Sequence, residues 1–212
     1  MIVRREMYNY LKQRFKHAIR FRHKRGYGVH SPFVFDLITN VIKEKAEYYD
    51  FARIEALGNI REKERKLYRL LFRLAEYLSF RDVLCVGVES PWVSRYLRAV
   101  SKQENVLNGG RDCPGSEYTG HVTAEEMKGQ KVDLIFFGRA FEADWNEAWE
   151  EGLRERKKGP LCIVVKDIYK GRFNSRVWRH LRQEGTVSID MMWYGIVFFD
   201  ERLQRGKYNM II

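Results

Sequence analysis

The chain has 212 residues, which suffices for one ordinary α/β domain, alone or with a helical extension, and is too short for two full domains. Its 39 Lys and Arg against 28 Asp and Glu give a formal charge of +11, so its surface attracts phosphates, nucleic acid or anionic lipid. No apolar run approaches the roughly 18 residues that span a bilayer, and no signal-like apolar region follows Met1. These features predict a soluble protein.

The cysteines indicate a compartment. Cys85, Cys113 and Cys162 are odd in number, and two of them lie inside apolar, strand-like runs. This pattern fits neither a disulfide framework nor a zinc site. A reducing cytoplasm is therefore the expected location.

The positive charge is concentrated near the start of the chain, from Arg4 to Arg25. Apolar residues recur there at helical spacing, which predicts a basic amphipathic helix over residues 5–22; they are Tyr8, Leu11, Phe15, Ala18 and Ile19. Basic side chains interleaved with aromatic ones also suit nucleic acid, and a membrane-surface helix uses similar residues. The helical spacing itself favours the simpler interpretation, in which the aromatic residues face a protein core.

Further helices are predicted before the first strand. Gly26 and Gly28 interrupt the pattern, after which Ser31 is a candidate N-cap and Pro32 a candidate first helical residue. Residues 48–59 have a mixed pattern that indicates a short helix or turn. Leucines at helical spacing predict a clear amphipathic helix over residues 62–78.

The stretch from Phe80 to Ser94 carries the strongest signal. An apolar run passes through Gly87 into a short polar turn and then a helix-like segment beginning at Trp92. This is how the first strand, turn and helix of a Rossmann-like nucleotide fold are arranged, with glycine allowing close approach of the backbone to a ligand. Only one glycine is present, however, and Pro91 and Trp92 stand where such loops usually have small residues.

The rest of the chain alternates between strand-like and helix-like segments. Such alternation predicts a largely parallel α/β sheet, and the last strands are too closely spaced for crossovers, so they should pair antiparallel. The expected strands are residues 105–108, 132–137, 161–166, 186–192, 194–199 and 208–212, with helices at 143–156 and 175–183. The short stretch between residues 108 and 132 predicts one abbreviated βα unit. We expect a helical N-terminal extension, 1–79, followed by an α/β domain, 80–212.

Two segments carry a family resemblance. The sequence Gly-Tyr-Gly-Val-His-Ser-Pro-Phe-Val-Phe-Asp-Leu-Ile-Thr at 26–39 resembles the N-terminal signature of class I S-adenosylmethionine-dependent methyltransferases of the Bacteroidetes type. Residues 186–199 resemble the C-terminal hairpin of the same group. The resemblance implies a Rossmann-like, largely parallel sheet that ends in an antiparallel hairpin, with S-adenosylmethionine as cofactor.

The resemblance also implies cofactor contacts at Gly87, Glu89, Ser90, Asn108 and Gly138. Glu89 would hold the ammonium of the cofactor, and Ser90 with nearby backbone amides its carboxylate. Asn108 replaces the acidic residue expected at the ribose, and Gly138 replaces an expected aspartate. The alternatives are that Glu89 and Ser90 only cap a helix and that Asn108 begins a simple turn.

Two residues are candidates for acid–base catalysis. Asp167 follows a strand where the resembled group has an acidic pair, of which the first member is here Lys166. His30 lies within the N-terminal signature, and histidine is the side chain most often used for general acid–base catalysis. The alternatives are a capping or surface ion-pair role for Asp167 and an ordering role for His30 in the preceding glycine turn. No metal site is expected, because one carboxylate offers too few ligands.

Three functions therefore remain open at this stage. The first is a methyltransferase that uses S-adenosylmethionine and acts on a small oxygen acceptor. The second is a non-catalytic binding protein that keeps the fold, since the expected acidic residues are missing before Gly87 and at Asn108, Gly138 and Lys166. Each of these four charged contacts would be worth about 1.5–3 kcal/mol. The third is a nucleic-acid-associated protein that docks through Arg4 to Arg25. The sequence identifies no acceptor and leaves homo-oligomer formation open.

Overall fold

The computed structural model describes residues 11–12, 15, 29–101, 104–110, 113–139, 142, 147–157 and 159–210. Their helices are α1 (Pro32–Leu37), which continues as a π-helical turn (Ile38–Ile42), α2 (Tyr49–Glu55), α3 (Glu62–Leu78), α4 (Trp92–Arg98), α5 (Glu147–Arg156) and α6 (Arg172–Glu184). Their strands are β1 (Asp82–Val86), β2 (Asn105–Gly109), β3 (Gly120–His121), β4 (Leu134–Phe137), β5 (Leu161–Lys166), β6 (Val187–Asp190), β7 (Tyr194–Phe199) and β8 (Gly206–Asn209).

These strands form one sheet in the order β3-β2-β1-β4-β5-β7-β6-β8. The first five strands in this order are parallel, whereas β7 runs antiparallel to both β5 and β6. Strands β1 and β4 are buried along their whole length, as expected where helices cover both faces of a parallel sheet. The predicted Rossmann-like sheet with a C-terminal antiparallel hairpin is confirmed.

The last strand corrects one expectation. We expected all closing strands to pair antiparallel, but β8 pairs parallel with β6, with Val187 opposite Gly206. The chain reverses twice between these strands, so β8 runs in the direction of β6 and adds to its outer side. Strand β8 also begins before Tyr208, the residue at which the sequence predicted its start.

The helices that precede the sheet follow the sequence closely. Ser31 caps α1 by accepting a hydrogen bond from the Val34 amide at 3.4 Å, and Pro32 is the first helical residue. Helix α3 has the predicted bounds, and α2 occupies the stretch with the mixed pattern. The apolar residues of all three helices join one core with one face of the sheet. Most of the basic helix predicted over residues 5–22 lies outside the described residues, although Leu11 and Phe15 are helical and exposed.

The unit after β2 is abbreviated, as predicted. In the described residues between Gly109 and Leu134, regular structure consists of the two-residue strand β3 and one 3₁₀ turn, Glu126–Lys128. The sequence did not predict β3, because two residues are too few for a periodic pattern. The short β3 pairs with only two residues of β2, Leu107 and Asn108.

Within the described ranges, no helix combines the length and apolar character needed to cross a bilayer.

The three cysteines lie in the protein interior. Cys85, Cys113 and Cys162 are all buried free thiols. Burial raises the pKa of Cys85 and of Cys162, so both thiols stay protonated and serve as core residues.

The buried carboxylate of Asp190 connects the C-terminal strands to α6 through hydrogen bonds. Asp190 is fully buried and accepts hydrogen bonds from Arg182 at 3.1 Å, from the Met192 amide at 3.1 Å and from the Tyr169 hydroxyl. Arg182 also donates to the Asn209 side chain at 2.9 Å. The network thus joins α6, β6 and β8 through one charge pair.

Replacing Asp190 with Asn should lower the free energy of unfolding by about 3 kcal/mol, because it removes one charge of a buried pair. Asp50→Asn is the matched control, since Asp50 pairs with Arg53 at 2.8 Å on the surface and its loss should cost no more than about 1 kcal/mol. Urea unfolding of both variants measures the difference. Equal losses would contradict the structural role given to Asp190.

Candidate functional site

A cavity of about 260 Å³ lies at the carboxyl edge of the parallel strands. Its floor is formed by residues that follow β1 and by Phe136, Gly138 and Lys166 at the ends of β4 and β5. One wall is the start of α3, and the other is the loop between β1 and α4. The side chains and glycine that line it are Asn59, Arg61, Glu64, Tyr68, Val88, Glu89, Ser90, Trp92, Val93, Phe136, Gly138, Arg139 and Lys166. Ligands of parallel α/β sheets bind at this edge.

The length of α3 explains why it forms a wall. Its 17 residues extend about 25 Å, whereas the five residues of β1 extend about 16 Å. The helix leads into β1 after a left-handed Ser79, so its first turn projects past the carboxyl ends of the strands. Glu64 and Tyr68 are one turn apart and face the cavity.

Gly87 and Gly138 meet at the floor of the cavity. Gly87 has a φ of 62°, which favours glycine, and the Gly138 amide donates to the Val86 carbonyl at 2.8 Å. A Cβ atom on Gly138 would overlap the Gly87 carbonyl oxygen and lie 2.8 Å from its carbonyl carbon. The loop after β1 therefore lies directly on the end of β4, and an aspartate does not fit at position 138 without moving that loop.

The loop after β1 places two of the predicted contacts in the cavity. Glu89 is exposed, and Ser90 accepts a hydrogen bond from the Trp92 amide at 3.4 Å at the start of α4. Burial, and then the charge of Glu89, raises the pKa of the nearby Cys113 thiol. Burial and the neighbouring Glu64 carboxylate raise the pKa of Tyr68, which also shares a hydrogen bond with Ser90. At neutral pH, Cys113 and Tyr68 are therefore neutral hydrogen-bonding groups.

An ion pair extends across the cavity from α3 to β5. The Lys166 ammonium contacts one oxygen of the Glu64 carboxylate at 2.8 Å, and Arg61 contacts the other at 3.5 Å. The Lys166 and Glu64 side chains are only 17% and 21% exposed. The cavity as a whole is lined by three cations and two carboxylates.

The remaining predicted residues do not line this cavity. Asn108 is buried in β2, opposite Cys85, at 1% exposure. Asp167 lies at the correct edge with a left-handed φ of 55°, and its amide donates to the Trp193 carbonyl at 2.6 Å. His30 is exposed and precedes Phe33 by three residues at the opposite edge of the sheet. The structure thus brings Glu89, Ser90 and Gly138 together in the cavity, with Gly87 in contact with Gly138, whereas Asn108, Asp167 and His30 are not among the lining residues.

Phe33 lines a larger cleft of about 490 Å³ at the amino edge. It packs edge-on against Phe198, with ring centroids 5.1 Å apart, and Leu161 at the start of β5 also lines the cleft. The backbone amide of Arg81 donates to Asp133 there at 2.8 Å, so that carboxylate is engaged by the fold. The smaller carboxyl-edge cavity remains the better candidate, because it combines several charged side chains with the strand ends.

The sequence did not predict a role for the residues at the start of α3. Glu64 and Tyr68 belong to an ordinary amphipathic helix pattern that Arg61 precedes, and the role of all three depends on where that helix begins relative to the sheet. The signal available was the excess length of α3 over β1. Arg139, which follows Gly138, was also missed. In the described part of the chain, no group of three or more His, Cys, Asp or Glu side chains is placed to hold a metal.

The segment that contains Asn59 and Arg61 is held in place by contacts of Gly58 with α4 and of Glu55, at the end of α2, with α3 and α4. A Cβ on Gly58 would lie 3.2 Å from the Trp92 ring, so this turn packs against the start of α4. At the end of α2, Arg69 donates to Glu55 at 2.7 and 3.0 Å, and Tyr96 donates to the same carboxylate. Burial alone would raise the pKa of Glu55, but the hydrogen bonds from Arg69 and Tyr96 hold it below its usual value.

No protein family model and no curated protein matches the sequence. Among solved structures, an O-methyltransferase from Bacillus cereus in complex with SAH is 10% identical and aligns 78% of this chain with 94% of its own, at a TM-score of 0.46. The O-methyltransferase TomG from Streptomyces achromogenes, in complex with SAM, is 13% identical over 78% of this chain and 93% of its own, at 0.43. Cofactor-bound Rv0187 from MTB is 15% identical over 80% and 95%, at 0.47. At these values the similarities carry no argument about function, which rests on the cavity itself.

Changing Gly138 to Ala should destabilise the protein by about 1–3 kcal/mol, because the new methyl group overlaps the backbone of Gly87. Gly129→Ala is the control, since the nearest atom to its Cβ would be 3.8 Å away and the residue is exposed. Thermal unfolding of both variants gives the comparison. If Gly138→Ala loses no more thermal stability than Gly129→Ala, the loop after β1 does not lie on β4.

Glu55 should make stability depend on pH. Because its pKa is lowered in the folded protein, its contribution is present above the unfolded value near 4.5 and is lost as the pH falls through the lower folded value. Glu55→Gln should therefore be less stable than the parent at neutral pH, with the gap narrowing as the pH falls below about 4.5. Urea unfolding across this range measures the gap, and a gap independent of pH would refute the assignment.

Proposed function

We propose that the chain binds S-adenosylmethionine at the carboxyl-edge cavity and acts as a methyltransferase on a small oxygen acceptor. The supporting observation is that the adjacent residues Glu89 and Ser90 and the distant Gly138 line one cavity. At about 260 Å³, the cavity is slightly smaller than the roughly 300–1,000 Å³ of usual ligand pockets. It suits the reacting ends of a cofactor and a small acceptor better than a large substrate.

The polar side chains of the cavity suit the amino-acid end of the cofactor. Of the two carboxylates in the cavity, Glu64 is engaged by Lys166 and Arg61, so Glu89 is the better partner for an ammonium group. Ser90 offers a hydroxyl beside it. When bound, the cofactor would supply a methyl group on a positively charged sulfur, and the residues of this chain would orient it toward the acceptor.

The proposal assigns no acid–base role to His30 or Asp167. His30 is at the opposite edge from the cavity, and Asp167 is not among its lining residues. The residues that do line the cavity contribute to an in-line transfer by positioning the two reactants. Acceptors that already carry a negatively charged oxygen suit such a site, because they need no base.

A non-catalytic protein that retains the fold is the second candidate. It is favoured by Cys85 and Val86, which are fully buried where the resembled group has an acidic residue, and by the burial of Asn108 away from the cavity. Each absent charge-assisted hydrogen bond would cost the cofactor about 1.5–3 kcal/mol. Docking of nucleic acid through Arg4 to Arg25 remains a prediction, because that segment lies almost wholly outside the described residues.

Isothermal titration with S-adenosylmethionine and S-adenosylhomocysteine tests the leading proposal. We expect micromolar binding, loss of binding in Gly87→Trp, which distorts the loop after β1 because Gly87 has a left-handed φ, and at least tenfold weaker binding in Glu89→Gln, because it loses the charge that faces the ammonium. Glu125→Gln is the control, since Glu125 is exposed and outside the cavity. No binding of either ligand to folded protein at millimolar concentration would overturn the proposal and favour the non-catalytic protein.

A further inference from the structure

Three basic side chains line the cavity. Arg61, Arg139 and Lys166 come from the residue before α3, the loop after β4 and the last position of β5. Three separate segments of the chain therefore deliver a positive charge to one small space. Glu64 is the carboxylate that contacts Lys166 and Arg61.

Lys166 is the most enclosed of these cations. Its side chain is 17% exposed, and one of its three ammonium donors is used by the contact with Glu64 at 2.8 Å. The residue lines the cavity, so its other donors can reach a molecule within it. A partly buried ammonium is stabilised by every further acceptor that it gains, because burial has removed some of its water.

Glu64 only partly balances this charge. Its two oxygens are divided between Lys166 and Arg61, so one carboxylate serves two cations, and Arg139 adds a third. Glu89 lies on the β1 side, in the loop that precedes α4. The partly buried charge of Lys166 acts on an anion more strongly than a charge in bulk water does, whereas Arg61 and Arg139 are exposed and add a weaker attraction.

We propose that the Arg61, Arg139 and Lys166 side of the cavity binds an oxyanion, a carboxylate or phosphate group carried by a small methyl acceptor. The assignment of this anion to the acceptor rests on the proposed function, whereas the anion site itself stands on the charges alone. Glu89 and Ser90 on the β1 side then face the cofactor, and Lys166 on the β5 side faces the acceptor. Glu64 competes with the anion for Lys166 and Arg61.

Calorimetric titration of the full chain with inorganic phosphate and with succinate, at constant ionic strength, tests the anion site. One of the two probes should bind saturably with one-to-one stoichiometry, and the one that binds identifies the oxyanion as phosphate or carboxylate. Lys166→Met should weaken that binding at least tenfold. The matched control Lys207→Met, at an exposed position on β8, should leave it within twofold. Absence of saturable binding by both probes, or equal effects of the two variants, would overturn the proposal.

Glu64→Gln provides a second variant with the opposite expected sign. Removing the competing carboxylate should tighten anion binding severalfold, whereas a purely structural Lys166–Glu64 pair predicts no gain. This variant decides the question if Lys166→Met does not fold, as judged by circular dichroism. Unchanged or weaker binding to folded Glu64→Gln would contradict the proposal.

Titration of S-adenosylmethionine into the same variants separates this inference from the proposed function. If the parent protein binds the anion but not S-adenosylmethionine, the anion site is supported and the methyltransferase proposal is what fails. If Lys166→Met weakens S-adenosylmethionine as strongly as it weakens the anion, Lys166 holds the carboxylate of the cofactor. That result would overturn the assignment of this side to the acceptor.

Discussion

The close contact between the loop after β1 and the end of β4 is the constraint on which the carboxyl edge depends. Gly138 donates to the Val86 carbonyl, and its Cα faces the backbone of Gly87 with no room for a side chain. Since β1 and β4 are neighbours in the centre of the sheet, this contact sets the floor of the cavity. It also explains why position 138 carries no carboxylate, which would require the loop to move.

Most charges of the cavity therefore come from the segments around its floor. Glu89 belongs to the loop before α4, Glu64 and Arg61 to the start of α3, Arg139 to the loop after β4, and Lys166 to the end of β5. The pair formed by Lys166 and Glu64 spans the cavity from the sheet to the helix. This arrangement leaves the Glu89 carboxylate without an ion pair to Lys166 or Arg61, and it places three cations in the same cavity, as expected of a site that orients two differently charged ligands.

Local patterns in the sequence predicted much of the fold. The bounds of α3, β5 and β7 agree with the prediction, because each has a strong apolar pattern and a clear terminus. Strand β3 and the parallel pairing of β8 were not predictable in this way, since both depend on contacts with distant residues. For the site, glycine and loop chemistry indicated the β1 side, while the contribution of α3 required knowing how far a helix projects beyond the sheet.

Amide chemical-shift mapping with S-adenosylmethionine tests most directly whether the carboxyl-edge cavity is the ligand site. We expect the largest shifts on Glu89, Ser90, Arg139 and their immediate neighbours, with the cleft at Phe33 unaffected. This expectation is contradicted if the shifts concentrate at Phe33 and Phe198, if they fall on Arg4 to Arg25, or if saturating ligand produces none in the folded protein.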